Sequence, residues 1–380
     1  MMKFLNIFKF FSLYTDSFEK KVDKFLRHVK RRSNTDLQVL IQEDLVKLTV
    51  FLEYKFKAYK KLKKRYRRKL YDHAELIRTD FQKFLEAEEE NIQVSQHAPS
   101  IPPSLRSDRH FRYLLAIMKY LKPGGRLQYK EASTFEKLLR DPAKEKLIGD
   151  CNQIVTLYIY LFSFRYPVTE LQVKILPNHI CLHYKGVDIE TTSGMLADYD
   201  EYTFVSPVEE IIATNVLDIA DPTEKQYQVS PRNVLKSAEF AFRFSGHRAT
   251  VEKNLFSAYH NMAVFYARQK NFSKARLFAN KSGNTKLQTG ILRMEAGDHL
   301  KNKRYDKALD AFRKAGDKAG EKACYQNQLA DLFSMIKDCK TLSQYKNRRS
   351  TLYRMKELAL KVDNQELVRF VNDILRKLDK

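Results

Sequence analysis

Four residues in the middle of the chain are of the types that carry out nucleophilic catalysis. Cys151 stands just before residues 154–164, which are apolar nearly all round and are therefore predicted to form a buried helix. His179 follows, and Asp188 and Glu190 come after it. The start of a helix favours a thiolate, an imidazole is a base, and a carboxylate orients that base. The pattern predicts attack by the Cys151 thiolate on a carbonyl carbon.

The elements that must position these residues are a helix and an antiparallel hairpin. Residues 171–176, 180–184 and 187–192 alternate between apolar and polar side chains, which is typical of strands. Lys185 and Gly186 lie between the last two segments and predict a tight hairpin turn. A base on one strand and an acid on the next would then lie side by side across the ladder.

The same residues also have interpretations without chemistry. A single cysteine before an apolar helix is most often a small buried hydrophobic residue, and Cys151 fits that description. Asp188 and Glu190 face the same way along their strand. They could therefore form the solvated face of an edge strand.

A second question concerns metal binding. His179, Cys181 and His183 alternate onto one face of a predicted strand, and all three are residue types that bind zinc. Ligands two residues apart on a strand are about 6.6 Å apart, and no fourth ligand is evident in the sequence. We therefore predict no metal and no small-molecule cofactor, and we keep His183 as the alternative to His179 for the catalytic base.

Residues 110–320 resemble the transglutaminase-like superfamily of cysteine enzymes, in particular the members that join such a domain to tetratricopeptide repeats. The resemblance rests on three motifs: GDCNQ (149–153), PNHICL (177–182) and VDIETTSG (187–194). It implies a papain-like core in which Cys151 is the nucleophile and His179 protonates the leaving amine. It also implies that Glu190, which opens an acid-Thr-Thr step, orients the histidine, with Asp188 as the alternative acid.

The resemblance leaves two features of the reaction open. Either water or a second amine resolves the thioester, so that hydrolysis and transfer are both allowed. The oxyanion needs the backbone N–H of Cys151 and a second donor, for which Gln153 and Gln128 are candidates by residue type alone.

The predicted fold class is α+β: a transglutaminase-like core of a helix and an antiparallel sheet, flanked by helical regions. We predict a basic helical arm at 1–95, a proline-containing linker at 96–107, the transglutaminase-like domain at 108–246, and an all-α tetratricopeptide-repeat domain at 247–380. The first segment includes what the apolar spacing predicts to be one long helix or two abutting ones.

The predicted repeats are carried by four pairs of similar residues, each pair 33 residues apart. The pairs are Ala263 and Ala296, Tyr266 and His299, Phe272 and Tyr305, and Ala275 and Ala308. Tetratricopeptide repeats have a period of about 34 residues, in which small residues allow two helices to approach closely.

The charge of the chain is unevenly distributed. The formal net charge is +23, but residues 96–246 hold 18 basic and 18 acidic residues, whereas residues 1–95 hold 22 and 14 and residues 247–380 hold 29 and 14. Residues 55–69 hold ten basic residues and no acid. The predicted sites for an anionic partner are Lys60, Lys61, Lys63, Lys64, Arg65, Arg67, Arg68 and Lys69.

These observations lead to one preferred function and two alternatives. We predict a cytoplasmic, cysteine-dependent enzyme that cleaves or transfers amide bonds on a protein or peptide, with an acidic partner held by the repeats. The first alternative is a non-catalytic adaptor with an inactive core. The second is a protein that associates with RNA or an anionic membrane surface through its basic arm, helped by the apolar start at 1–11.

Overall fold

The residues of the predicted catalytic site belong to the first of two units into which the chain divides, residues 1–255 and residues 256–380. The structure is a computed structural model, and it describes residues 13–88, 92, 101–199, 204–219 and 224–379. The predicted apolar start and residues 96–100 of the predicted linker lie outside the described residues.

Three helices open the described chain: α1 (Ser17–Arg27), α2 (Asn34–Leu52) and α3 (Lys64–Glu88). Ser33 caps α2, because its hydroxyl accepts a hydrogen bond from the backbone N–H of Asp36 at 3.2 Å. After α2 the chain forms a π-helical turn, Glu53–Lys57, and then reaches Ala58 with a φ of +54°. That left-handed residue separates α2 from α3.

The next elements lead to Cys151, the predicted nucleophile. They are α4 (Arg109–Tyr120), β1 (Leu127–Tyr129), α5 (Phe135–Leu138), β2 (Leu147–Gly149) and α6 (Cys151–Ser163). The strands β1 and β2 pair in parallel. The helix α6 is buried from Gln153 to Phe162, so the prediction of a helix buried all round is confirmed.

A five-stranded antiparallel sheet follows α6. Its strands are β3 (Gln172–Leu176), β4 (His179–Tyr184), β5 (Val187–Glu190), β6 (Met195–Ala197) and β7 (Phe204–Pro207), in the spatial order β6-β5-β4-β3-β7. Lys185 and Gly186 have φ values of +45° and +87°, as a two-residue hairpin turn requires. The three predicted strands and the predicted turn are confirmed.

The core of the first unit joins the N-terminal helices to the sheet. Two further helices, α7 (Glu210–Leu217) and α8 (Pro231–Phe244), complete this region. A single hydrophobic cluster runs from Phe18 to Phe244 and includes residues of α1, α2, α3, α6 and β4. The residues predicted as an arm and those predicted as a catalytic domain therefore share one core, and the described end of the linker contributes buried Ile101 and Leu105 to it.

The remainder of the chain is helical. Its helices are α9 (Arg248–Arg268), α10 (Phe272–Lys281), α11 (Thr285–Lys301), α12 (Tyr305–Lys314), α13 (Lys318–Ser334), α14 (Leu342–Lys346), α15 (Arg349–Lys361) and α16 (Gln365–Leu378). Phe272 and Tyr305, which are 33 residues apart, each begin a helix. The four alanines of the repeat pattern are fully buried.

The predicted fold class is wrong. The structure is 66% helical, and its antiparallel sheet consists of five short strands, none longer than six residues. The alternation that favours strands is confined to residues 171–192. Helices from the N-terminal region pack into the same core as these strands. The sheet is therefore a minor part of a predominantly helical chain, not the body of an α+β transglutaminase-like domain with helical flanks.

Candidate active site

Cys151 is the first residue of α6. The preceding residue, Asp150, caps the helix: its carboxylate accepts the N–H of Gln153 at 3.1 Å, and its own N–H donates to the Gln153 side chain at 3.3 Å. A Cβ at Gly149 would lie 3.0 Å from Leu138 and 3.1 Å from Ile154, so glycine allows this close approach without a shift of those side chains. The capped turn holds the partly exposed Cys151 at the positive end of a buried helix.

His179 is paired with a carboxylate and lines the same cavity as the cysteine. Its Nε2 lies 2.6 Å from Oε2 of Glu190, and Cys151 is near enough to the imidazole to influence its pKa. Because Nε2 is engaged by Glu190, Nδ1 is the ring nitrogen left for the sulfur. Interactions with Cys151 and then with Glu190 raise the pKa of His179 from 6.5 to about 10, against the effect of its partial burial. The imidazole is therefore protonated at neutral pH.

Glu190 is held by four hydrogen bonds. Besides His179, its Oε2 accepts the hydroxyl of Tyr199 at 2.8 Å, and its Oε1 accepts the N–H and the hydroxyl of Thr192 at 2.9 and 2.5 Å. Burial acts to raise the pKa of Glu190, but the hydrogen bonds from His179, Thr192 and Tyr199 outweigh it and lower the pKa to about 2. The carboxylate stays charged and fixed in orientation.

Tyr199 is a site residue that the sequence analysis missed. It follows β6, and its backbone N–H donates to Asp188 at 3.1 Å while its hydroxyl reaches Glu190. Its position depends on how the chain turns back beside β5. No residue spacing in the sequence marks it.

Asp188, the alternative acid, belongs to a second histidine. Its Oδ1 lies 2.6 Å from Nδ1 of His183, and its Oδ2 accepts the ammonium group of Lys174 at 2.6 Å. His183 accepts the N–H of Gly186 through its other nitrogen at 3.2 Å. Both nitrogens of His183 are therefore occupied away from the sulfur, and the arrangement of side chains favours His179 over His183 as the base.

The acids do not form a solvated edge. Asp188 and Glu190 are only 2% and 7% exposed, and β5 lies between β4 and β6. Their strand is thus internal, and each carboxylate is committed to a histidine. Within the described residues, no group of three or more His, Cys, Asp and Glu side chains is arranged to hold a metal ion.

A buried ionic cluster lies behind the start of α6. Glu53 and Lys57 form an ion pair at 3.0 Å, and both side chains are almost completely buried. Burial, followed by the nearby charge of Asp218, raises the pKa of Asp150 to about 7. The charge of Lys57 acts in the opposite direction. The residue that caps α6 therefore lies close to several buried charges.

Neither candidate for the second oxyanion donor is well placed. The side-chain amide of Gln153 donates to Asp150 at 2.9 Å and is buried, so it is not free to bind an oxyanion. Gln128 lies on β1, where its side chain is exposed. The first expected donor, the backbone N–H of Cys151, remains at the unpaired start of α6.

An open cavity of about 600 Å³ lies next to the two reactive groups. Cys151 and His179 line it together with residues from the turn between β3 and β4, from α7 and from the first turns of α9. A substrate can therefore reach the sulfur and the imidazole from the same side.

The predicted anionic-partner segment is divided between surface and core. The side chains of Lys60, Lys61, Lys63, Arg65, Arg68 and Lys69 are exposed, and Lys64 is half-buried. Arg67 is only 1% exposed, and its guanidinium donates to both oxygens of Glu19 at 2.7 and 2.9 Å. The prediction for Arg67 is wrong, because this arginine pairs with a buried carboxylate inside the helical core and cannot meet a partner.

No family model and no curated protein sequence matches this chain. Among solved structures, the chain is similar to a crystal structure of menin described as revealing the binding site for the Mixed Lineage Leukemia (MLL) protein. The similarity covers 95% of this chain and 91% of that chain, with 10% sequence identity and a TM-score of 0.37. Similarity at that level supports no conclusion about fold or function. No helix in the described part of the chain has the length and hydropathy needed to span a membrane.

Proposed function

We propose that this protein is a cysteine-dependent enzyme that cleaves or transfers amide bonds of a protein or peptide. The proposal is supported by one observation above all: Cys151 and His179 line the same open cavity, and the imidazole of His179 is held at 2.6 Å by the carboxylate of Glu190.

The first step forms a thioester. The Cys151 sulfur attacks the carbonyl carbon of a carboxamide or peptide bond, and the oxyanion develops beside the N–H groups at the start of α6. The C–N bond then breaks, and the proton on the imidazole of His179 passes to the leaving amine. The now neutral His179 remains oriented by Glu190.

The second step releases the enzyme. Water or a second amine donates a proton to His179 and attacks the thioester carbonyl carbon, and the C–S bond breaks to regenerate the thiolate and the imidazolium. Attack by water gives a carboxylic acid, and attack by an amine gives a new amide. The side chains of this site serve either nucleophile.

The experiment is to trap the thioester. The full-length protein is incubated with a mixture of peptide carboxamides, and acyl groups on cysteine are identified by mass spectrometry before and after treatment with hydroxylamine. We expect a hydroxylamine-sensitive acyl group on Cys151 and none in Cys151→Ala. If peptides bind but no acyl group forms on Cys151, the enzyme proposal fails and the non-catalytic adaptor is favoured.

Binding of an anionic partner is a second proposed function. Six basic side chains between residues 60 and 69 are exposed close together in the sequence, and basic side chains give salt-dependent affinity for phosphates. The proposed partner of this segment is RNA. An anionic membrane surface is the competing ligand for the same segment, and an acidic peptide held by the C-terminal helices is the other alternative. The test compares binding to a short RNA between 50 and 200 mM salt, about the range over which phosphate contacts weaken strongly. Affinity that does not fall with salt would exclude this function.

A further inference from the structure

The cavity beside Cys151 is larger than the reacting amide alone requires. Its volume of about 600 Å³ falls within the range of about 300–1,000 Å³ that is typical of ligand pockets. Because Cys151 and His179 line the cavity, a substrate whose carbonyl carbon reaches the sulfur places its neighbouring atoms in this space. The chemistry of the remaining wall therefore selects among substrates.

Much of that wall is apolar. It is formed by Ile175 and Leu176 of β3, Phe204 of β7, Ala213 and Leu217 of α7, and Val251 of α9. Phe204 is 56% exposed, although it is large and apolar. An aromatic side chain this exposed at the edge of a concave wall is well suited to cover an apolar group of a bound molecule.

Two polar side chains of the wall, Glu210 and His247, have hydrogen-bond partners within the protein. The two carboxylate oxygens of Glu210 accept hydrogen bonds from residues 245–246 at 2.5 and 2.8 Å. The ring of His247 is hydrogen-bonded to a serine of β7. The described residues around the cavity include no lysine or arginine. An acidic side chain of a substrate would therefore meet no lysine or arginine here.

We propose that this cavity holds a large apolar side chain, aromatic or branched aliphatic, next to the carboxamide that Cys151 attacks. This inference rests on the proposed function and adds the class of substrate. An apolar pocket distinguishes side chains that differ by single methylene groups by about 10- to 200-fold, and an acidic side chain would lose its hydration here without a lysine or arginine partner.

The first test uses the full-length protein and acetyl-glycyl-X chloromethyl ketones in which X is Phe, Leu, Lys or Glu. The Cys151 sulfur displaces chloride from these probes, and intact mass gives the rate. We expect the Phe and Leu probes to react at least about 10-fold faster than the Lys and Glu probes. Equal rates for the four probes would overturn the proposal.

A pair of neighbouring substitutions tests the location. Phe204→Asp introduces a charge into the cavity wall, whereas Val205→Asp introduces the same charge at a residue that is 43% exposed and points to the other face of β7. We expect Phe204→Asp to slow the Phe and Leu probes about 10-fold, and Val205→Asp to leave them unchanged. Reaction with iodoacetamide, which has no side chain to place, should be the same in both variants and in the wild type. Equal effects of the two substitutions on the peptide probes would contradict the proposed site.

A binding measurement separates this inference from the proposed catalysis. Cys151→Ala is titrated with acetyl-glycyl-X amides carrying the same four side chains, and affinity is measured by calorimetry. A preference for Phe and Leu without any turnover by the wild type supports the cavity proposal and rejects the enzyme. Turnover by the wild type without such a preference supports the enzyme and rejects the cavity proposal.

Discussion

Two histidine–carboxylate pairs lie on the same two strands, β4 and β5, and on the same face of the sheet. In both pairs a ring nitrogen lies 2.6 Å from a carboxylate oxygen: His179 with Glu190, and His183 with Asp188. The first pair meets a partly exposed sulfur at the start of a helix, whereas the second is joined by the buried ammonium group of Lys174. A histidine held by a carboxylate is thus an ordinary structural unit, and its neighbours decide whether it can take part in a reaction.

The two cysteines near these pairs differ in the same way. Cys151 lines the open cavity, whereas Cys181, between the two histidines on β4, is fully buried. Burial, followed by the charge of Asp188, raises the pKa of the Cys181 thiol well above its ordinary value. Only the sulfur of Cys151 is therefore both accessible and placed beside a protonated imidazole.

The largest expected effect concerns these sulfurs. Cys151→Ala should reduce amide turnover by a factor of at least about 10³, since the nucleophile is lost. Cys181→Ala, the matched change on β4, should retain turnover within about threefold. Turnover is measured by release of the amine from a peptide amide. Comparable losses in the two variants would remove the distinction between the pairs.

The two acids should separate catalysis from stability. Glu190→Gln leaves His179 without its charged partner and should lower turnover by about 10²- to 10⁴-fold. Asp188→Asn should leave turnover within about tenfold but lower the free energy of unfolding by about 3–5 kcal/mol, because Lys174 loses its buried countercharge. Urea unfolding and the turnover assay, run on both variants, test this difference. The reverse assignment of the two effects would mean that Asp188 is the catalytic acid.

The pH dependence of stability should identify the first pair. The pKa of His179 is raised from 6.5 to about 10, so its contribution to stability is fully present below pH 6.5 and is lost as the pH rises through about 10. The pKa of Glu190 is lowered from 4.5 to about 2, so its contribution is present above pH 4.5 and is lost as the pH falls towards 2. Urea unfolding at pH 6.5, 8 and 10 should show wild type losing stability relative to His179→Gln. A constant difference between the two proteins would argue against these interactions of His179.

The smallest expected effect is that of His183→Gln. This change removes the hydrogen bonds of His183 to Asp188 and Gly186, and should lower the free energy of unfolding by about 1–2 kcal/mol. Turnover at saturating peptide should stay within about twofold of wild type, whereas His179→Gln should lose most of it. A large loss of turnover in His183→Gln with little loss of stability would show that the second histidine acts in the reaction.

Several local features were predictable from the sequence because they depend on near neighbours. The cysteine before an apolar helix, the alternating strands and the Lys185-Gly186 turn were each indicated by residues within a few positions of one another. The order of Cys151, His179 and Glu190 was read directly from the chain, together with the elements predicted to hold them. Residue type and spacing determine helix starts and tight turns, since those structures satisfy their hydrogen bonds locally.

The tertiary structure decided what depends on distant segments. The register of β4 and β5 places Asp188 opposite His183 and leaves Glu190 as the partner of His179. The chain after β6 brings the hydroxyl of Tyr199 to Glu190. The tertiary structure also buried Arg67 against Glu19, so one member of a basic run became part of the core.

The fold class was decided at the same level. The sequence by itself determined a candidate nucleophile, base and acid and the elements that carry them, but the share of helix and sheet in one core depends on which surfaces pack together. The share of helix and sheet is set by the burial of apolar surface between segments that are far apart in the chain. The spacing of residues within one segment does not indicate which other segment it will pack against.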